Sequence, residues 1–143
     1  MITPARDIFW LLLLLCMWMH VLDDFVLQKA CLCELKQRDW WQKLIGHEFK
    51  ATKYAQDYIM ALVMHAISWS VSIALPLILY SLYTGMALDC LFFWTACCVN
   101  AVIHAFVDDM KANRLMLNLV DDQAIHIVQI VVTVFIYVHR TLI

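Results

Sequence analysis

Three pairs of residues place an imidazole and a carboxylate four positions apart: His20 with Asp24, His104 with Asp108, and Asp122 with His126 in reverse order. A fourth histidine, His65, stands alone within an apolar stretch. On a helix, positions i and i+4 share a face, so each pair can address one object. Neutral imidazole with carboxylate is a donor set for a divalent transition metal, whereas Mg or Ca is held mainly by oxygen. Zn fits this set best, and Mn, Fe, Co and Ni are compatible with it. The expected ligands are His20, Asp24, His65, His104, Asp108, Asp122 and His126, more than one closed four-ligand zinc site uses, so one or two ions are expected. Asp24 and Asp122 are also the candidates for a catalytic general base. Gln28, Asn100 and Gln123 lie close enough along the chain to orient these side chains as a supporting shell. Asp23, Asp109 and Asp121 sit beside the paired acids and are expected to point elsewhere, toward lysines or the membrane surface.

These polar residues are set in a very apolar chain. Of 143 residues, 64% are hydrophobic and 15% charged, with two Gly and two Pro. Soluble domains run nearer to 45–50% apolar. A chain this short has too little interior to hide such an excess, which leaves lipid to cover it. The net charge of −2 gives no reason to expect nucleic acid as a partner. The six cysteines show no framework spacing and read as reduced, small hydrophobic residues.

Four apolar segments, about 8–28, 58–83, 87–110 and 118–138, are near or above the length that spans a bilayer. The fold expected is an all-α, polytopic membrane protein of one domain, with four antiparallel transmembrane helices. The long first connection contains Asp39-Trp40-Trp41-Gln42-Lys43-Leu44-Ile45, which predicts an interfacial helix. Lys29, Lys36, Arg38, Lys43, Lys50 and Lys53 lie in that connection, and Lys111 and Arg114 in the third. The positive-inside rule puts both connections in the cytoplasm and both termini outside. At a rise of about 1.5 Å per residue, the four histidines then lie about 10–14 Å inside the cytoplasmic ends and the three aspartates about 4–7 Å inside. Seven ionisable groups from four helices thus share one layer. Lys111 and Arg114 fall where an anionic headgroup would sit, although anchoring at the cytoplasmic face is the more ordinary reason for them.

An intramembrane charge is expensive and calls for a reason. Hydrogen bonding between helices could be that reason for one pair, but serves poorly for three pairs and His65 together. Haem would need apolar walls where the aspartates stand. Thiol chemistry at Cys31-x-Cys33 or Cys97-Cys98 would fall on the reducing side or within the membrane. The function expected is a metal-dependent hydrolase at the cytoplasmic leaflet, acting on a lipid-linked phosphoester or amide. The alternative is a non-enzymatic membrane protein with a structural metal site, binding or remodelling a host membrane complex through residues 29–57. A metal or proton transporter is a further alternative, and lacks a polar track to the other face. Besides the bilayer, the partners to expect are the lipid-linked substrate and either a homo-oligomer or a host membrane protein.

The strings His20-x3-Asp24-Phe25-Val26-Leu27-Gln28, His65, His104-x3-Asp108-x2-Lys111 and Asp122-Gln123-x2-His126 resemble small bacterial and phage integral membrane proteins grouped as domain-of-unknown-function family 3307. The resemblance covers nearly the whole chain and implies a bacterial inner-membrane location and a set of polar positions that belong together. It implies no activity. The chain departs from the pattern at Asp23, Asp109 and Asp121 and in its longer charged first connection. A looser likeness to membrane-bound metal-dependent hydrolases is one of analogy.

Overall fold

The computed structural model describes residues 4–28, 30–46 and 53–142. Helix α1 (Pro4–Leu22) runs into a π-helical turn (Asp23–Leu27), followed by α2 (Ala30–Leu35), α3 (Arg38–Ile45), α4 (Asp57–Thr84), α5 (Cys90–Ala112) and α6 (Leu119–Leu142). Among the described residues there is no strand. Four segments are long and apolar enough to cross a membrane: Ala5–Leu27, Asp57–Thr84, Cys90–Ala112 and Leu119–Thr141. His47 lies outside the described residues.

Local chemistry sets the ends. Helix α4 stops at Gly85, whose φ of +68° suits glycine, and the Met86 N–H closes back on the Ser81 carbonyl at 2.9 Å. This is a Schellman-type ending. Helix α5 begins at Cys90 rather than near residue 87 because Asp89 caps it, accepting the Phe92 N–H at 2.9 Å. That backbone N–H, helped by Arg140, holds the Asp89 carboxyl below its usual range. Asn118 accepts the N–H groups of Val120 and Asp121 and so caps α6.

The four long helices close a ring in which α1 touches α4 and α6, and α5 touches α4 and α6. Its interior has two layers. One is dry, packed by residues such as Leu12, Ile73, Leu77, Phe93, Ile130 and Val134, with the Tyr137 and Ser81 hydroxyls paired at 2.6 Å. The other is polar and holds His20, Asp23, His65, His104, Asp108, Asp122 and His126, all buried. Trp69, fully buried, lies at the boundary. Large apolar side chains cover the outside as well, among them Trp10, Leu14, Trp18, Leu91, Trp94 and Phe135. A helix apolar on every side is one surrounded by protein on one face and lipid on the other. In lipid the hydrophobic effect gives helices little drive to associate, so close packing and buried hydrogen bonds hold such a ring.

Candidate metal centre

The polar layer converges on His126. Its Nδ1 faces the Gln129 side-chain oxygen at 3.0 Å. Gln129 is fixed in turn, because its amide donates to the backbone and side-chain oxygens of Asn100, each at 3.2 Å. Asn100 donates to Thr133 at 2.9 Å. With Nδ1–H donating to Gln129, the lone pair of His126 is on Nε2. That atom has no hydrogen-bond partner although the ring is fully buried. It faces Asp122 Oδ1 at 3.3 Å and Asp108 Oδ1 at 3.7 Å.

The outer oxygen of each of these carboxylates belongs to a lysine. Asp108 Oδ2 accepts Lys36 Nζ at 2.6 Å, and Asp122 Oδ2 accepts Lys111 Nζ at 2.6 Å. Asp122 Oδ2 also accepts from the Gln123 amide at 3.1 Å. Asp122 therefore presents one oxygen inward and holds a cation with the other, whereas Asp108 Oδ2 both accepts Lys36 and faces His65 and His104 at 3.6 and 3.9 Å.

A second group faces them. His65 Nε2 lies 3.0 Å from His104 Nε2, 3.6 Å from Asp24 Oδ1 and 3.6 Å from Asp108 Oδ2. His104 stacks between Trp69 and His126, with ring centroids 4.3 and 4.1 Å away. Behind His65, Nδ1 faces Asp23 Oδ2 at 3.7 Å, and Asp23 Oδ1 accepts the Ser68 and Ser72 hydroxyls at 3.0 and 2.9 Å. Around a tetrahedral ion with metal–ligand bonds of about 2.0–2.1 Å, neighbouring donor atoms stand roughly 3.3 Å apart. The spacings found here fall about that value. Two trios, Asp24–His65–His104 and His104–Asp108–His126, bring donor atoms close enough to share a metal ion.

Three expectations change. His20 does not join either trio. Its Nδ1 accepts the Trp69 indole N–H at 2.8 Å and its Nε2 meets the Gln123 oxygen at 3.0 Å, so both ring nitrogens are engaged. It braces Trp69 and, through Gln123, Asp122. Asp23 points inward instead of out, because the π-helical turn, closed by Gln28 N–H on the Asp23 carbonyl at 2.9 Å, brings two successive acids to the interior. A single α-helical register would carry only one of them. Arg114 is exposed and pairs with Asp109 at 2.7 Å, away from the ligand atoms, whereas Lys111 joins the site. Asp109 thus pairs with a cation, as expected of it.

Lys36 is the residue that spacing gave no reason to select. It comes from the turn after α2, sits 14% exposed, and reaches Asp108. Gln28 supports it: with the amide oxygen turned toward the ammonium, the two lie 2.9 Å apart, and the amide nitrogen donates to the Asp24 carbonyl. Asn113 fastens the same turn, accepting the Arg38 N–H at 2.7 Å and donating to the Lys36 carbonyl at 3.2 Å. The cavity of about 620 Å³ between α5 and α6 reaches Asn100, Gln129 and Thr133, behind the ligand atoms. Comparison with protein-family models, with curated proteins and with solved structures finds no match to this chain.

Proposed function

We propose that this protein is a membrane-embedded, metal-dependent hydrolase working at the cytoplasmic leaflet on a lipid-linked phosphoester or amide. In this reading the four spans run antiparallel, both termini lie outside, and α3 rests in the interface with Trp40 and Trp41 toward the lipid. The observation that carries it is the set of buried nitrogen and oxygen atoms left without hydrogen-bond partners: Asp24 Oδ1, His104 Nδ1, Asp122 Oδ1 and His126 Nε2. Leaving such a group unsatisfied costs roughly 1–3 kcal/mol, and more when it is charged. A cation bound among them removes that cost.

A divalent metal held there supplies Lewis-acid activation of water and of the substrate's carbonyl or phosphoryl oxygen. His65, His104, His126 and Asp108 are the core of the ligand set. Asp24 and Asp122 each offer a free oxygen, one to complete that set and one to accept the proton of the attacking water. Gln129 and Asp23 fix the imidazoles whose Nε2 atoms face the centre. Lys111, on the outer oxygen of Asp122, is positioned for an anionic headgroup.

Complete enclosure of His104 and His126 favours a second reading, in which the metal is a structural clamp and the protein acts by binding a partner through residues 29–57. Metal analysis of detergent-purified protein, wild type against His104→Ala, tests both readings, because His104 belongs to both trios. Metal in the wild type and its loss in the variant are expected, and metal-free wild type would sink both. Release of phosphate or amine from bilayer lipids by the metal-loaded protein selects hydrolysis over the clamp. Labelling of single cysteines placed at Arg114 and Arg140 from opposite sides of the membrane tests the orientation.

A further inference from the structure

Asp108 divides the cluster. Its Oδ2 faces His65 Nε2 at 3.6 Å and His104 Nε2 at 3.9 Å, on the side of Asp24 Oδ1. Its Oδ1 faces His126 Nε2 at 3.7 Å, on the side of Asp122 Oδ1. One carboxylate thus offers a different oxygen to each of two donor sets. Asp24, His65 and His104 form one trio, and Asp108 Oδ2, which also accepts Lys36, adds a fourth donor beside it, the number that closes a tetrahedral site. The set containing His126, Asp122 and Asp108 Oδ1 has three, the number that leaves a position for substrate. Two of those three atoms, His126 Nε2 and Asp122 Oδ1, have no partner, and both side chains are 1% exposed.

Charge decides how the two sets fill. The layer contains four carboxylates, Asp23, Asp24, Asp108 and Asp122, and two ammonium groups, Lys36 and Lys111. With neutral imidazoles, the form that binds metal, two negative charges remain unbalanced. One divalent ion neutralises them. A second leaves two positive charges in a buried, low-dielectric layer, which is costly unless an anion comes with it. A phosphomonoester carries close to two negative charges near neutral pH. It balances the second ion, whereas a phosphodiester supplies one charge and an amide none. Lys36 and Lys111, on Oδ2 of Asp108 and Asp122, are the cations this layer has to offer such an anion.

We infer that Asp108 bridges two adjacent divalent-cation sites, the first filled by metal alone and the second, at His126 and Asp122, filled only together with a phosphomonoester. The inference rests on the metal-dependent reading above and narrows its substrate to a terminal phosphate, on a lipid headgroup or free. Binding is then reciprocal, since phosphate tightens the second ion as much as that ion tightens phosphate.

The test is metal stoichiometry by equilibrium dialysis of the full-length protein in detergent, with Zn²⁺ or Mn²⁺. One ion per chain is expected without phosphate and two with saturating inorganic phosphate. With Mn²⁺, the phosphate-loaded sample should show the exchange-coupled electron paramagnetic resonance signal of a close pair. Short-chain phosphatidate in place of inorganic phosphate identifies the source: a second ion at lower concentration of the lipid assigns the headgroup, and the reverse order assigns free phosphate. Asp122→Asn should keep the first ion and lose the phosphate-dependent one. Its retained ion shows that the variant is folded, and a variant that loses both is replaced by Lys111→Met, expected to weaken phosphate coupling at least tenfold. Two ions without phosphate, or one ion with it, overturns the inference and leaves the metal reading standing. No ion under any condition overturns both.

Discussion

His126 is poised by its neighbours. Gln129 takes its Nδ1, Asn100 holds Gln129, and the free Nε2 is turned toward Asp108 and Asp122. Supporting residues of this kind are typically worth 10–100-fold in metal affinity. Gln129→Ala should therefore weaken metal binding by about 10–100-fold while keeping the number of ions bound, as read by competition with a chromophoric chelator. His126→Ala should instead lower the number bound. A Gln129 variant with unchanged affinity would mean that His126 is oriented by stacking on His104 alone. His20 gives a contrasting expectation. Both its nitrogens are hydrogen-bonded to Trp69 and Gln123, so His20→Ala should leave ion stoichiometry intact and lower stability, measured by thermal unfolding in detergent. The uncompensated Trp69 indole and the cavity together place that loss at about 2–5 kcal/mol.

At the scale of elements, the π-helical turn converts the adjacent acids Asp23 and Asp24 into two inward-facing groups with different tasks. Asp24 presents an oxygen to the centre, and Asp23, held by the Ser68 and Ser72 hydroxyls, backs His65. Removing Val26, an exposed residue within the turn, should restore α-helical register and rotate one acid away. Loss of metal binding with retained helicity is the expected outcome, measured by dialysis and circular dichroism on the same sample. Helix α5 allows a separate test of its cap. Its Asp89 carboxylate is held below the usual range by the Phe92 N–H and Arg140, so the contribution is whole above the ordinary carboxylate range and disappears as pH falls through the lowered value. Amide exchange at Phe92 should therefore accelerate only in strongly acidic solution, and Asp89→Ala should abolish that pH dependence. The sequence made the helices themselves legible, because apolar runs of spanning length at 58–83 and 118–138 reappear in α4 and α6 nearly unchanged. The i, i+4 rule also placed His104 with Asp108 and Asp122 with His126 correctly, because α5 and α6 are regular there. It also placed His20 beside Asp24, at 3.4 Å, but carried no sign that Trp69 and Gln123 would engage the His20 ring. It missed Asp23, where the helix changes pitch. It carried no information about Lys36, whose position depends on how a connection folds back and is fastened by Asn113, a tertiary event without a period to read.

The molecule is divided along its long axis, and the two halves should respond differently to metal. In one, Ile73, Leu77, Ile130 and Val134 interlock without any charge. In the other, carboxylates from the π-helical turn, α5 and α6 face one another across His65, His104 and His126, with Lys36 and Lys111 offsetting only part of their charge. Without metal, this half must tolerate partnerless donors and mutual repulsion that a low-dielectric surrounding magnifies. A ligand that binds only the folded state at a hundred times its dissociation constant adds about 2.7 kcal/mol to stability. Chelation should therefore lower the unfolding temperature in detergent, and the loosening should be local first. Hydrogen exchange is expected to rise at the amides around Asp108, Asp122 and His126, while those of Ile130–Val138 keep their protection until global unfolding. Equal acceleration in both halves would mean that the layers unfold as one unit. No change in either would mean that the lysines and buried hydrogen bonds already satisfy the cluster, and that metal does not contribute to holding the ring together.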